Sequence, residues 1–409
     1  MSGGLGDISV SEVERRDVII SAAAQAAMAG VGLWFLTCQA LLRAKNLFVV
    51  RRRDRVAFQL FLAWTAIVTL AALQGVASGY EIGYILGDTY RFLAFPLYFL
   101  ITYFSIRTRD DLDGTLKGLL TILGALLLYD LVTSVKSLEE GYRFWKNSLY
   151  YSMVFAPLII YFLRERQSPL FRIASWALLM ETVIAFVFYG GVQGLIVYPC
   201  GLLLFAALGR NVRLAFVSVA SAAVAVLVLW SAEELFPPQI AYARAKIELA
   251  SESVSFLEKL ERVEGGRHAD IVSIALGYTR SPEYTVVGFG MGSSLLTEPL
   301  GPRDVLPHWA RERHYIHEGF FEVLFRTGLG GTAAFLALLG QGLRRGYRLF
   351  RDDRNRYGLF AAVNVLFQLG LLMTNANLMI TYLTLCVSMV GVSVLEGQGK
   401  EIETRRSVA

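Results

Sequence analysis

Long apolar runs, separated by short charged segments, constrain the fold of this chain more than any other feature. A helix needs roughly 20 apolar residues to cross about 30 Å of hydrocarbon. Hydrophobic residues make up 55% of the 409. Soluble domains average roughly 45–50%, and the excess here is concentrated in runs of spanning length. The sequence therefore predicts an all-α, polytopic integral membrane helical bundle.

The apolar runs predict eleven transmembrane helices. They lie at 18–42, 56–78, 89–106, 114–135, 148–163, 173–189, 191–208, 214–236, 317–340, 358–374 and 378–396. One long polar segment interrupts them late in the chain. We therefore expect an N-terminal bundle (1–236), a loop subdomain (237–316), C-terminal transmembrane helices (317–396) and a tail (397–409).

Lysine and arginine are distributed unevenly among the short segments between these runs. Along the chain these short segments would lie alternately on one side of the membrane and on the other. The segments of one side contain 22 lysines and arginines, and those of the other side contain five. The richer set is 43–55, 107–113, 164–172, 209–213, 341–357 and 397–409. Because such residues collect on the cytoplasmic side, we expect the amino terminus and the long loop outside and the carboxyl terminus inside. The net charge of +5 then has a topological explanation, and we expect no nucleic-acid partner.

All four histidines, His268, His308, His314 and His317, lie in the outside loop or at its end. His317 opens the ninth span, where an imidazole could take a proton from a sugar hydroxyl near neutral pH. A histidine that caps the helix or anchors it among the lipid headgroups is the alternative. The spacing of the last three histidines matches no common zinc site, so we expect no metal and keep His314 as a secondary candidate.

Three charged residues follow on the same predicted helix, at Glu318, Glu322 and Arg326. Their spacing of four puts them on one helix face. Arg326 lies about 13 Å deeper than His317 at 1.5 Å per residue, and a charge at that depth must be paired or line a polar cavity. We expect a structural Glu322–Arg326 pair. In the alternative, Glu318 or Glu322 orients His317 or a substrate.

The arginines of the outside loop offer planar guanidinium groups that can bind phosphate through two hydrogen bonds. Arg267 is the strongest candidate, because it follows Gly265-Gly266 at the predicted start of a helix that runs to Leu276. Arg91, at the outer end of the third span, would add a cation to the same face or anchor that helix. The segment Gly288-Phe289-Gly290-Met291-Gly292 predicts a turn with positive φ angles rather than a dinucleotide site, since no strand–helix unit surrounds it.

These features together resemble the O-antigen ligase and O-antigen polymerase superfamily of GT-C-type membrane glycosyltransferases. The resemblance rests on the dominant late outside loop, on Gly266-Arg267 ahead of a helix, and on the Gly-rich turn. It also rests on the histidine that opens a helix ending in the G-x-x-G of Gly328 and Gly331.

The resemblance implies transfer of a glycan from an undecaprenyl-diphosphate carrier to a glycan or to lipid A core. Transfer would occur at the periplasmic face of the bacterial inner membrane, with inversion and without a metal or cofactor. His317 would activate the acceptor hydroxyl and Arg267 would bind the donor diphosphate. Val192-Gln193-Gly194 stands where the family often has Ser-Arg-Gly, so a second arginine would be Arg244 or Arg311. A transporter or flippase for a lipid-linked or anionic substrate is the alternative function.

Overall fold

The computed structural model describes 54–138, 153–164, 169–189, 192–231, 271, 273–294, 316, 319–373 and 378–408. Helix dominates this part of the chain and no strand occurs within it, which confirms the all-α prediction for these residues. The predicted first span (18–42) and most of the predicted loop subdomain (237–316) lie outside them.

Ten of the described helices overlap predicted apolar runs, and two short ones lie in the predicted loop. Before the loop they are α1 (Arg55–Ala77), α2 (Ile82–Ser105), α3 (Arg109–Leu138), α4 (Ala156–Arg164), α5 (Pro169–Tyr189), α6 (Val192–Gly209) and α7 (Val212–Ser231). Within and after it they are α8 (residues 273–280), α9 (Tyr284–Val287), α10 (Gly319–Asp353), α11 (Arg356–Leu372) and α12 (Leu378–Val408).

Several predicted helix ends were wrong. The helix predicted from Arg267 to Leu276 continues to Arg280. The span predicted to end at 340 continues to Asp353, so most of the segment 341–357 is helix rather than loop. The last helix likewise runs through the predicted tail to Val408. The hydropathy of the sequence shows where an apolar run ends. The backbone hydrogen bonds of the helix can continue beyond that point, until a capping residue or a break stops them.

Two described helices, α1 and α10, are long and apolar enough to cross a membrane. Their apolar residues pack with α2 and α12 around a buried aromatic layer formed by Trp64, Phe92, Phe95, Phe335 and Tyr382. Phe95 stacks on Tyr382 with ring centroids 4.5 Å apart, and Trp64 Nε1 donates to Phe92 O at 3.0 Å. This layer holds together the four helices that surround the charged residues described below.

Helix α10 is broken at Gly328, where φ is 63° and ψ is −165°. The break divides it into a short half-helix (residues 319–327) and a long half-helix (residues 329–353), although the sequence predicted one continuous span. A Cβ at Gly328 would lie 2.5 Å from Val286 O, so the position requires glycine for both its positive φ and its lack of a side chain.

We expect Gly328→Ala to destabilise the protein. The new Cβ would meet the backbone of residues 286–288 and would force a positive φ, and the strain alone costs on the order of 1–3 kcal/mol. Gly340→Ala on the same helix is the control, because a Cβ there meets nothing within 4 Å. Thermal unfolding in detergent, followed by tryptophan fluorescence, should show a lower midpoint for Gly328→Ala only. Equal midpoints for the two variants would contradict this account of the break.

Candidate functional site

The Gly-rich segment 288–292 adopts the predicted positive φ angles. They are +81°, +88° and +79° at Gly288, Gly290 and Gly292. A Cβ at Gly288 would lie 2.5 Å from the backbone of Arg326, and one at Gly290 would lie 3.0 Å from Ala71 O. The glycines therefore let this segment approach two helices at backbone contact distance.

The segment supplies hydrogen-bond donors to the end of the short half-helix. Phe289 N donates to Phe325 O at 2.8 Å, and Gly290 N donates to Arg326 O at 3.2 Å. The hydroxyl of Tyr278, on α8, donates to Leu324 O at 2.6 Å. The last four carbonyls of a helix lack donors within the helix, so these three contacts satisfy groups that the break exposes.

The other edge of the segment is bound to α1. Met291 N donates to Ala71 O at 2.9 Å, and Gln74 Nε2 donates to Gly288 O at 2.8 Å. Residues 288–292 therefore lie between α1 and the break in α10, with backbone hydrogen bonds to both.

A small apolar cluster surrounds Phe289 and forms a second core. Its ring stacks on Phe325 at a centroid distance of 4.9 Å. Tyr278 and Tyr284 each pack on it at 5.1 Å. Ile274, Phe321 and the fully buried Ile316 complete this Phe289 cluster. Burial raises the pKa of the Tyr278 phenol, which keeps its hydroxyl protonated and able to donate.

Four charged side chains from α2 and the short half-helix form a buried group, here called the charge tetrad: Asp88, Arg91, Glu322 and Arg326. Arg91 Nη2 lies 2.6 Å from Glu322 Oε2, and Arg326 Nη2 lies 3.1 Å from Asp88 Oδ2. Arg91 Nη1 lies 3.6 Å from Asp88 Oδ1. With two carboxylates and two guanidinium groups, the tetrad has no net charge.

Glu322 and Arg326 attract each other electrostatically, as predicted, but this is not the closest ion pair of either residue. Both residues are fully buried, but each makes its close ion pair with α2 rather than with the other. A spacing of four residues establishes only that two side chains share a helix face. It carries no information about the oppositely charged residues that a neighbouring helix brings to that face.

The tetrad also holds the end of the Gly-rich segment. Asp88 Oδ2 accepts a hydrogen bond from Gly292 N at 2.8 Å. Arg326 Nη1 donates to Ser293 Oγ at 2.8 Å and to the carbonyl of the same residue. Asp88 and Arg326 therefore link α2, the short half-helix and the segment 292–293 in one polar network.

A second ionic cluster lies near the opposite end of α10. Arg345 Nη1 lies 2.9 Å from Asp54 Oδ1, and Arg345 Nη2 lies 2.6 Å from Glu396 Oε2. Ser393 Oγ donates to Asp54 at 2.6 Å. Arg345 lies on the long half-helix, 23 residues beyond Glu322 of the short half-helix. The two ionic clusters therefore lie on opposite sides of the break at Gly328.

Three of the predicted site residues, Arg91, Glu322 and Arg326, meet in the tetrad. The other six lie outside the described residues: His314, His317, Glu318, Arg244, Arg267 and Arg311. Their roles stay predictions. Ile316 and Gly319, the nearest described neighbours of His317 in the sequence, are both buried.

Sequence reasoning missed Asp88, Ser293 and Tyr278. Asp88 precedes Arg91 by three residues, so these opposite charges lie one turn apart near the start of an apolar helix. That spacing could have indicated an ion pair. Nothing in the sequence indicates that the Tyr278 hydroxyl reaches a carbonyl 46 residues away.

The described residues contain no group of three His, Cys, Asp or Glu side chains that could hold a metal ion, and all four histidines lie outside those residues. The chain matches no protein-family model and no curated protein sequence. Its function must therefore be argued from the tetrad, the broken helix and the sequence around them.

We expect Arg91→Leu to destabilise the protein strongly, because it leaves the carboxylate of the fully buried Glu322 without its 2.6 Å partner. Breaking a buried pair in this way costs about 3–5 kcal/mol. The double variant Arg91→Leu/Glu322→Leu should recover much of that loss, because it removes both members of the pair. Unfolding by SDS in mixed micelles measures each difference.

Lys117→Ala is the matched control for this series. Lys117 and Asp113 form an ion pair at 2.5 Å, but their side chains are 34% and 53% exposed. Loss of such a pair changes stability by about 1 kcal/mol or less. If Arg91→Leu cost no more than Lys117→Ala, the tetrad would have no structural role.

Proposed function

We propose that this chain is a membrane glycosyltransferase of the O-antigen ligase or polymerase type. It transfers a glycan from an undecaprenyl-diphosphate-linked donor to a glycan or lipid A core acceptor at the periplasmic face of the bacterial inner membrane. The reaction inverts the anomeric carbon and uses no metal or cofactor.

One observation carries the proposal. Two motifs on which the family resemblance rests, the Gly-rich turn and the helix of the G-x-x-G, are in direct backbone contact although they lie about 40 residues apart in the sequence. Gly290 N donates to Arg326 O, and Gly288 lies against Gly328. Glycines that serve separate turns need not meet, whereas glycines that build one site must.

The lipid bilayer as a partner is supported by the surface of the helices. On α1 the side chains of Leu62, Leu70 and Leu73 are 71%, 64% and 60% exposed, while Trp64 and Val68 are fully buried. Exposed apolar faces of this extent are unfavourable in water and suit contact with lipid. The proposed topology has eleven spans, a periplasmic amino terminus and loop subdomain, and a cytoplasmic carboxyl terminus, and it rests on the apolar runs and on the distribution of lysine and arginine in the sequence.

In the proposed reaction the imidazole of His317 accepts the proton of the acceptor hydroxyl, and Glu318 orients that imidazole. The hydroxyl oxygen forms a bond to the anomeric carbon from the face opposite the diphosphate. The bond between the anomeric carbon and the diphosphate oxygen breaks, and its electron pair leaves with the undecaprenyl diphosphate. Proton removal by a positioned base supplies about 10²–10⁴-fold of the acceleration.

The leaving diphosphate gains negative charge as the bond breaks, so it needs cations that are already in place. The charge tetrad has no net charge, and it cannot supply them without giving up an internal pair. We assign the main diphosphate contacts to Arg267 and to Arg244 or Arg311. Arg91, whose side chain is 18% exposed, is the tetrad member that could also reach the donor.

Polymerase and ligase differ in the acceptor. Deletion of the gene distinguishes them through the glycan that accumulates. Accumulation of single-unit glycans would identify a polymerase, because units would no longer be joined. Accumulation of long carrier-linked chains would identify a ligase, because the finished glycan would no longer leave its carrier.

A transporter or flippase is the second candidate, and the break at Gly328 favours it. Discontinuous helices and buried charges near the middle of a membrane are typical of transporters. Gly328 lies about 14 Å from the start of α10, and the buried Glu322 and Arg326 precede it on the short half-helix. Purified protein in liposomes separates the two functions, since a flippase moves the donor without changing it chemically and a transferase yields a new glycosidic bond.

We expect His317→Ala to abolish glycan transfer while the protein remains folded, because the acceptor hydroxyl loses its base. The assay combines purified protein in nanodiscs with an undecaprenyl-diphosphate-linked oligosaccharide and an acceptor, in the presence of EDTA, and detects product by mass spectrometry. The thermal midpoint of the variant serves as the folding control. Undiminished product formation would exclude His317 as the base.

We expect Arg267→Lys to reduce turnover by on the order of 100-fold or more, because an ammonium group lacks the planar fork that binds a diphosphate through two hydrogen bonds. Arg280→Lys is the matched control, since Arg280 is an exposed arginine at the end of α8 to which we assign no role in the reaction. Both are measured in the nanodisc assay. Equal activity of the two variants would show that Arg267 is not a diphosphate ligand.

A further inference from the structure

Tyr278 and Tyr284 occupy similar places around Phe289 but differ in their hydroxyl groups. Their rings pack on Phe289 at the same centroid distance of 5.1 Å and at interplanar angles of 39° and 37°. The Tyr278 hydroxyl donates to Leu324 O at 2.6 Å. The Tyr284 hydroxyl makes no hydrogen bond within the described part of the chain.

The bond from Tyr278 reaches the part of α10 that most needs restraint. Leu324 lies in the last turn of the short half-helix, just before the break at Gly328. The long half-helix cannot fix the direction of the short one rigidly, because the backbone leaves helical geometry between them. The direction of the short half-helix is therefore set by its lateral contacts, which include the charge tetrad, the Gly-rich segment, the Phe289 cluster and Tyr278.

We propose that Tyr278 is a positioning residue, whose hydroxyl fixes the direction of the short half-helix relative to residues 273–293. This inference rests on the proposed function in one respect. The short half-helix carries Glu322 and Arg326 and begins two residues after His317 in the sequence. On the other side, Tyr278 lies 11 residues after Arg267. Tyr278 thus connects the segment 273–293, which follows Arg267 in the sequence, to the short half-helix, which follows His317.

Small changes in the position of the short half-helix would have large effects on catalysis. A displacement of about 1 Å at the reacting groups can cost on the order of 100-fold in rate. Loss of one restraint among several displaces the half-helix by less than that, so the expected loss for Tyr278→Phe is on the order of ten-fold in kcat. Binding of the donor depends on several arginines, and the KM for the donor should stay within about two-fold.

The experiment compares Tyr278→Phe with Tyr284→Phe and the wild-type protein in nanodiscs. Each variant loses one hydroxyl and keeps its ring on Phe289. Hydrogen–deuterium exchange is measured on peptides covering residues 319–327 and, as an internal reference, residues 356–372. Steady-state kinetics are measured with the undecaprenyl-diphosphate-linked oligosaccharide. We expect faster exchange in residues 319–327 and lower kcat for Tyr278→Phe alone.

The two measurements separate this inference from the proposed function. If exchange in residues 319–327 is the same for both variants, the restraint does not exist and the inference fails. If exchange accelerates but kcat does not change, Tyr278 has no positioning role. Unfolding of Tyr278→Phe with a stable Tyr284→Phe would also overturn it, since Tyr278 would then act on stability. A wild-type protein without transfer activity refutes the proposed function, and the exchange data still decide whether Tyr278 restrains the half-helix.

Discussion

The rest of the structure depends on how the broken end of the short half-helix satisfies its carbonyl groups. A buried backbone carbonyl without a donor costs about 1–3 kcal/mol, so a helix end inside the protein needs donors from other segments. Here the amides of Phe289 and Gly290 and the hydroxyl of Tyr278 are those donors. This requirement accounts for the glycines of residues 288–292, for their insertion against α1, and for the location of the charge tetrad beside the break.

The charge tetrad has a structural explanation that does not depend on any reaction. Two carboxylates and two guanidinium groups cancel each other, and pairing between α2 and α10 ties together helices that lie far apart in the sequence. Removing water from such groups is costly, and the ion pairs offset that cost only when every partner is present. Asp88 also binds the Gly-rich segment, through a hydrogen bond from Gly292 N.

The sequence predicted the helical class, the approximate positions of the helices and the positive φ angles at Gly288, Gly290 and Gly292. Each of these follows from local information, namely apolar run length and the special freedom of glycine. The break at Gly328 and the partners of Glu322 and Arg326 were not predicted, because they depend on which distant segment packs against α10. The predicted roles of His317 and Arg267 belong to residues outside those that the structure describes, so chemistry there is still argued from sequence alone.

The ionic clusters near the two ends of α10 restrict how this helix can move. A shift along its own axis by one turn, about 5.4 Å, would separate Glu322 from Arg91 and, at the same time, Arg345 from Asp54 and Glu396. Sliding of the whole helix is therefore opposed at both ends together. Bending at Gly328 changes the angle between the half-helices and leaves the Arg345 contacts intact. A tilt of the short half-helix would thus disturb only the tetrad contacts, whereas a piston-like displacement of α10 would disturb both ionic clusters.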